Sequence, residues 1–315
     1  MKKLYTNCEM LIDFSAKKIG SLKEVKEFVK NPGGAPANVA VCTAKLGGNA
    51  AVITKLGKDA FGDFLIDILK ENRVDTSFVF QTNEANTALA FVALDEKGER
   101  EFMFYRKPSA DLFLNEDEIP EVFQSGDILH FGSVDLVDYP VCTAHLHAIY
   151  LARKAGTIIS FDPNLRYSLW ETKNELLSTV RNFIPLVDMI KVSEEELFDI
   201  TEIKEEKEAV NRLFHGNVKL ILLTKGEKGS SAYTKKGYFC TVPSQKVIQV
   251  DATGAGDCFI GTFLFQILRD NKIDVSSLEE HLQTYLFYAN KAASIAVTKK
   301  GAIPSIPDEM TVFKK

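Results

Sequence analysis

Paired cysteines, basic clusters and long apolar runs are what this 315-residue chain lacks, and each absence removes a class of function. Its five cysteines (Cys8, Cys42, Cys142, Cys240, Cys258) are scattered, odd in number and never spaced Cys-x-x-Cys. That pattern suits reduced, mostly buried thiols, and argues against a disulfide framework or a zinc site. No basic cluster exceeds Lys235-Lys236 or Lys299-Lys300, and the formal net charge is −5. A nucleic-acid partner is therefore not expected. No apolar run approaches the roughly 18 residues a membrane span requires, so no membrane partner is expected either. The opening MKKLYTNCEMLIDF sets Thr6, Asn7 and Glu9 where a secretion signal needs a continuous apolar core, and a cytoplasmic location follows as the expectation. Histidines are few and dispersed. His145 and His147 fall on different faces of an expected helix, which excludes them as a metal pair.

What is present reads as a soluble α/β enzyme. Hydrophobic residues make up 45% and charged residues 26%, and the length suits one large domain or two smaller ones. Strands are expected at 4–14, 51–56, 128–131, 157–161, 189–192, 220–224 and 247–250. Helices are expected at 39–46, around 61–69, and near 140–154, 176–183, 194–201 and 205–215. The charged stretch 17–30 fits amphipathic strands or a short helix equally well. Asp95-Glu-Lys-Gly98 is a hairpin signal between 87–94 and 99–105, and Lys235-Lys-Gly237 is another between 231–233 and 238–242. Ser277-x-x-Glu280 reads as a capping box opening a last helix, 278–299, ended at Gly301. Asp59 and Asp63 read as surface residues, and Trp170 as packing. Alternating strands and helices predict a mostly parallel sheet covered on both faces, with ligands beyond the carboxyl ends of its strands. Asp162, Asn164, Ser193, Glu196, Thr224, Lys225 and Asp251 all stand at such ends, where they can converge on one rim.

The stretch 247–268 carries the strongest chemical signal. Asp251-Ala-Thr-Gly-Ala-Gly-Asp257 is a small-residue turn, and Phe259, Ile260, Phe263, Leu264, Ile267 and Leu268 then follow a helical period. Free N–H groups at a helix start, together with the dipole, make an anion site. Asp257 stands at its mouth, where a general base would act. No Lys-[Ser/Thr] follows the glycines, so the turn is not a P-loop. A second glycine turn, Asn31-Pro-Gly-Gly-Ala-Pro-Ala-Asn38, opens another helix.

These two motifs resemble the N- and C-terminal signatures of the ribokinase-like, phosphofructokinase B family of sugar kinases, and the resemblance spans essentially the whole chain. It implies a three-layer α/β/α sandwich with a mostly parallel central sheet. It also implies one kinase domain over 1–315, with a small β-sheet lid built from about 14–33 and 86–107. The implied reaction is transfer of a phosphoryl group from ATP to a sugar hydroxyl. Asp257 would be the base, and the amides of Gly254, Ala255 and Gly256 the anion hole. Asp13, Gly33, Gly34 and Asn38 match sugar-binding positions. Arg106, leaving the first hairpin, would be either a sugar contact or half of a surface ion pair. Asn164, Arg166, Ser193, Glu196, Thr224, Lys225, Gly226, Gly229 and Asn290 match nucleotide-side positions, with Glu196 organising Mg2+ through water. Ser193 replaces the family's asparagine, leaving a hydroxyl in place of an amide. Asp251, Thr253, Ala296, Lys299, Gly301 and Ser305 match a monovalent-cation site, which implies K+. Glu9-Met-Leu-Ile-Asp13, Ala35-Pro-Ala-Asn38 and Phe104-Tyr-Arg106-Lys-Pro-Ser-Ala-Asp111 resemble fructokinases most. D-Fructose is therefore the implied substrate, with 2-keto-3-deoxygluconate the near rival. A sugar-binding regulator on the same fold is the non-enzymatic alternative. Pairing of lid edges would give a homodimer.

Overall fold

The structure is a computed structural model describing residues 2–7, 9–94 and 100–314. The expected turn at 95–98 lies outside the described residues. In chain order the elements begin with β1 (Lys3–Asn7), β2 (Leu11–Ala16), β3 (Phe28–Gly33), α1 (Ala35–Lys45), β4 (Asn49–Gly57), α2 (Ala60–Glu71) and β5 (Asp75–Thr82). Next come β6 (Ala88–Leu94), β7 (Arg100–Tyr105), β8 (Ile128–Phe131), α3 (Pro140–Ala155), β9 (Ile158–Phe161), α4 (Lys173–Phe183) and β10 (Met189–Ser193). The remainder is α5 (Glu194–Thr201), α6 (Glu206–Leu213), β11 (Leu220–Thr224), β12 (Ser230–Thr234), β13 (Phe239–Val242), α7 (Ala255–Arg269), α8 (Leu282–Ala296) and α9 (Glu309–Phe313).

Among the described residues, nine strands form one sheet in the order β13-β12-β11-β10-β9-β8-β1-β4-β5, parallel except at β11-β12-β13. Its strands are apolar on both faces because both faces are covered. Leu4, Val52, Ile128, Leu220 and Leu222 join one core with α1, α7 and α8. Tyr5, Ile53, Leu129, Ile221 and Leu223 alternate with them and join the other core, with α3, α4, α5 and α6. From β1 the chain moves to β4 and β5 on one side, then returns through β8 to the other. Beside β1 and β8 the order therefore reverses, opening a crevice at the strands' carboxyl ends. A second sheet, β3-β2-β6-β7, stands over that end.

Four expectations are corrected. The single strand at 4–14 is two strands in different sheets, because the chain crosses from one sheet to the other after Asn7. The stretch 247–250 is not a strand: the sheet already ends at β13, and Val250 N and Asp251 N instead donate to Val297 O at 2.8 and 3.1 Å. Ile248 is consequently 86% exposed. The helix expected at 278–299 is α8, Leu282–Ala296, and is not the last; it starts later because Asp274 caps a tight turn over Val275–Ser277 and takes the place expected of Ser277. Asp59 is not a simple surface residue. It caps α2 through Phe61 N and Gly62 N and accepts from Thr87 N and Oγ1, tying α2 to the base of β6. β5 had no expected counterpart.

Candidate active site

The two glycine motifs meet. Gly34 precedes α1 at φ 117° and Gly254 precedes α7 at φ 77°, conformations that disfavour any side chain. A methyl group at Gly254 would also stand 2.9 Å from Ala302. α1 and α7 pack side by side, so Thr43 Oγ1 donates to Gly261 O at 3.3 Å, and a side chain at Gly261 would strike Cys42. This close approach brings Asn38, one turn into α1, onto Asp257, one turn into α7. Asn38 Nδ2 donates to Asp257 Oδ2 at 2.8 Å. Asn38 Oδ1 is buried with no protein partner, an acceptor left for something else.

Asp257 is buried, and burial raises its pKa against the opposing effects of Asn38, Lys191 and Arg166. Beside it the amides of Ala255 and Gly256 begin α7. Asp13, on β2, faces the same space from the second sheet; burial pushes its pKa up to about 6, with Arg166 acting in opposition. Arg166 therefore acts on both carboxylates. Gly33 lies against Asp13: a methyl group there would fall 2.3 Å from Oδ2. Gly33→Ala is accordingly expected to displace the Asp13 carboxylate with the fold retained, and to weaken by about tenfold or more the binding of any substrate that donates a hydrogen bond to it. Steady-state kinetics with thermal melting checks this.

Arg106 lines a cleft of about 130 Å³ with Phe102, Phe104, Lys107, Ser168 and Leu169. The surface-pair expectation is corrected, because Arg106 is 5% exposed. Its Nε donates to Asp111 Oδ2 at 2.8 Å, Nη1 to Val134 O at 3.2 Å, and Nη2 to Asp135. Glu9, whose Oε1 accepts from Ala35 N at 3.2 Å, completes this charge cluster. Burial raises the Glu9 pKa to about 7 despite Arg106. The cluster joins the start of α1 to the end of β7. No local sequence pattern announces the whole cluster, since its four members come from three segments, around Glu9, Arg106–Asp111 and Asp135.

Around the strand ends, Asn164 turns the chain after β9 at φ 46°, which places Arg166 in the open. Ser193 caps α5 reciprocally with Glu196, and Glu196 also accepts from Leu165 N at 2.9 Å. Thr224 Oγ1 donates to Val192 O at 3.4 Å, and Lys225 Nζ donates to Glu206 at 2.7 Å. Gly226 and Gly229 shape the turn after β11, where a side chain at Gly229 would strike Val242 O. Asn290 is turned inward: its amide donates to Val242 O at 2.9 Å and its carbonyl accepts from Ser230 Oγ at 2.9 Å. It holds that turn against α8 and does not present its amide to a ligand. Asp251 accepts from Thr253 N at 2.9 Å and from Gly301 N at 3.0 Å, which draws the 251–254 turn against the segment holding Ala296, Lys299, Gly301 and Ser305.

Two glycine-led helix starts, a buried carboxylate between them and a second sheet make a site suited to an anion beside a general base. Comparison with known proteins agrees. The chain matches the pfkB family carbohydrate kinase model over residues 1–309, and it belongs to that family. It is 46% identical to fructokinase-1 of Oryza sativa subsp. japonica over 311 residues, covering 97% of this chain and 95% of that one. The ATP-bound fructokinase of Xylella fastidiosa superposes with a TM-score of 0.90 at 34% identity, covering 98% and 96%. A Vibrio cholerae O395 fructokinase double mutant, solved with fructose, ADP and potassium, superposes at 0.88 with 33% identity, covering 99% and 97%. The ribokinase-like α/β architecture is thereby established.

Proposed function

We propose that the protein is a fructokinase that transfers the γ-phosphoryl group of ATP to the 6-hydroxyl of D-fructose. The observation that carries this is the Asn38–Asp257 bond, which sets a buried carboxylate and an unpartnered amide oxygen beside an anion-binding helix start. Asp257 takes the hydroxyl proton, the sugar oxygen forms its bond to the γ-phosphorus, and the bond to the bridging oxygen breaks to release ADP. The amides of Gly254, Ala255 and Gly256 hold the charge that develops on the transferred group. Asp13, Asn38 and the Gly33-Gly34 backbone fix the sugar. Asn164, Arg166 and the 224–229 turn face the nucleotide. The small sheet acts as a lid that excludes water, the competing acceptor. Its edge strand β7 exposes Phe102, Met103 and Tyr105, an apolar row suited to pairing with a second copy.

The residues suit a magnesium ion held chiefly by phosphates and water. Among the described residues no three acidic, histidine or cysteine side chains cluster as a metal cage, and Glu196 keeps lone pairs beyond its backbone bonds. Mg2+ would supply charge neutralisation at the phosphates. The apposed 251–254 and 296–305 segments suit K+ through backbone carbonyls. Arg106 bears on the sugar's identity: Asp111 and Asp135 already match its charge, leaving none for the carboxylate of a sugar acid. ADP release measured over a sugar panel tests the reading. Fructose is expected to give the highest kcat/KM, and 2-keto-3-deoxygluconate leading the panel would refute the choice. Saturable sugar binding without ADP release would favour a regulator instead.

A further inference from the structure

Lys191 is a charge inside an apolar strand, Met189-Ile190-Lys191-Val192, buried between the layers where a lysine seldom lies. Its Nζ donates to both oxygens of Asp162, at 2.9 and 3.2 Å. A buried pair of this kind is weak evidence for stability, because desolvation offsets much of the attraction. The position of the ammonium says more. A methyl group built on Gly256 would lie 3.1 Å from Nζ, so the bare backbone of Gly256 is what admits the lysine. Unlike Gly254, Gly256 does not have a positive φ, and its backbone conformation alone does not call for glycine. The charged groups that act on Lys191 are Asp162 after β9, Glu196 on α5 and Asp257 on α7. Burial pushes its pKa down, but these three carboxylates outweigh that and raise it. His130 on β8, also under its influence, is held neutral at a pKa of about 3, by burial first and Lys191 second. Lys191 thus faces three acids and no other charged base in this set.

We infer that Lys191 is a further electrostatic group of the phosphoryl-transfer site, its ammonium held by Asp162 behind the Gly254–Gly256 amides that face the transferred group. The inference rests on the function proposed above. Backbone amides supply partial charges; a lysine packed against the same turn adds a full one, in a site where water does not screen it. It acts as the phosphoryl group gains charge in transit, so it belongs to kcat more than to sugar binding.

Lys191→Met is expected to lower kcat by about 10²–10³-fold, the range for one anion-stabilising donor, with the KM for fructose near the parental value. That variant strands Asp162, so the deciding protein is D162N/K191M, in which both charges are removed together and the fold is expected to persist. It also decides the matter if K191M does not fold. A double variant that folds, binds fructose normally and still shows the kcat loss supports the inference. A double variant with near-parental kcat overturns it, since Lys191 would then only neutralise Asp162. A double variant that fails to fold overturns it too, by assigning the pair to the fold. Absence of ADP release from the parental protein with every sugar would instead refute the proposed function itself.

Discussion

Asp257→Asn is expected to turn over about 10²–10⁴-fold more slowly than the parental protein, the usual worth of a general base. The substitution keeps the shape of the site. The asparagine retains an oxygen that can accept from Asn38 Nδ2, and the amides of α7 are untouched. What disappears is the group that takes the sugar proton. Stability should hold or rise, because the carboxylate it replaces is buried and burial opposes its charge. The KM for sugar should change little. The pH profile gives a second check. Burial raises the Asp257 pKa, so the active, ionised form is lost as pH falls through a value above the ordinary carboxylate range. The acidic limb of kcat, read at saturating sugar where Asp13 is engaged, should therefore lie above the ordinary aspartate value in the parent and be missing from the variant. Kinetics and urea denaturation of both proteins decide this, and near-normal turnover would remove Asp257 from its role.

Arg106→Met is expected to cost about 3–5 kcal/mol of stability, the price of stripping the cation from a buried charge cluster. Arg106 lies among Glu9, Asp111 and Asp135, and removing it leaves three carboxylates with no cation matched to them in the structure. Such groups recover by taking up protons. The folded pKa values of Glu9 and Asp135, already raised by burial, then rise further above the unfolded ones, so the variant should gain stability as pH falls. Glu9, already at about 7 with Arg106 present, marks the window. Urea midpoints near pH 6 and pH 8 should converge on the parental value at the lower pH. A variant as stable as the parent that merely binds sugar less well would show that Arg106 serves the substrate and not the join between β7 and α1.

Much of this molecule is written locally. The glycine turns before α1 and α7 are legible because a positive φ and a close backbone approach leave glycine little competition, as at Gly34 and Gly254. The strands 128–131 and 220–224 are legible because a parallel strand covered on both faces is a short apolar run between turns. The stretch 247–250 carries the same pattern and forms no strand, since a strand needs a neighbour and the sheet has already closed at β13. β5 carries too little of that pattern: it is a half-buried edge strand with Ser77 and Gln81 in it. Within the site, Asn38 and Asp257 are each marked by a motif, but the bond between them depends on how α1 and α7 pack. The Arg106 cluster and the placement of Lys191 under Gly256 depend on tertiary burial in the same way. Glu9, Arg106 and Asp111 stand in marked stretches and Lys191 in an apolar strand, but their contacts are not written there.

The most direct test follows the phosphoryl group itself. Purified protein is mixed with ATP, Mg2+, K+ and D-fructose, and the products are followed by phosphorus NMR. The account predicts fructose 6-phosphate and ADP appearing in equal amounts, with both slowed together by about 10²–10⁴-fold in the Asp257→Asn protein. ADP accompanied by free phosphate, or no product from fructose under conditions where another sugar is phosphorylated, would contradict it.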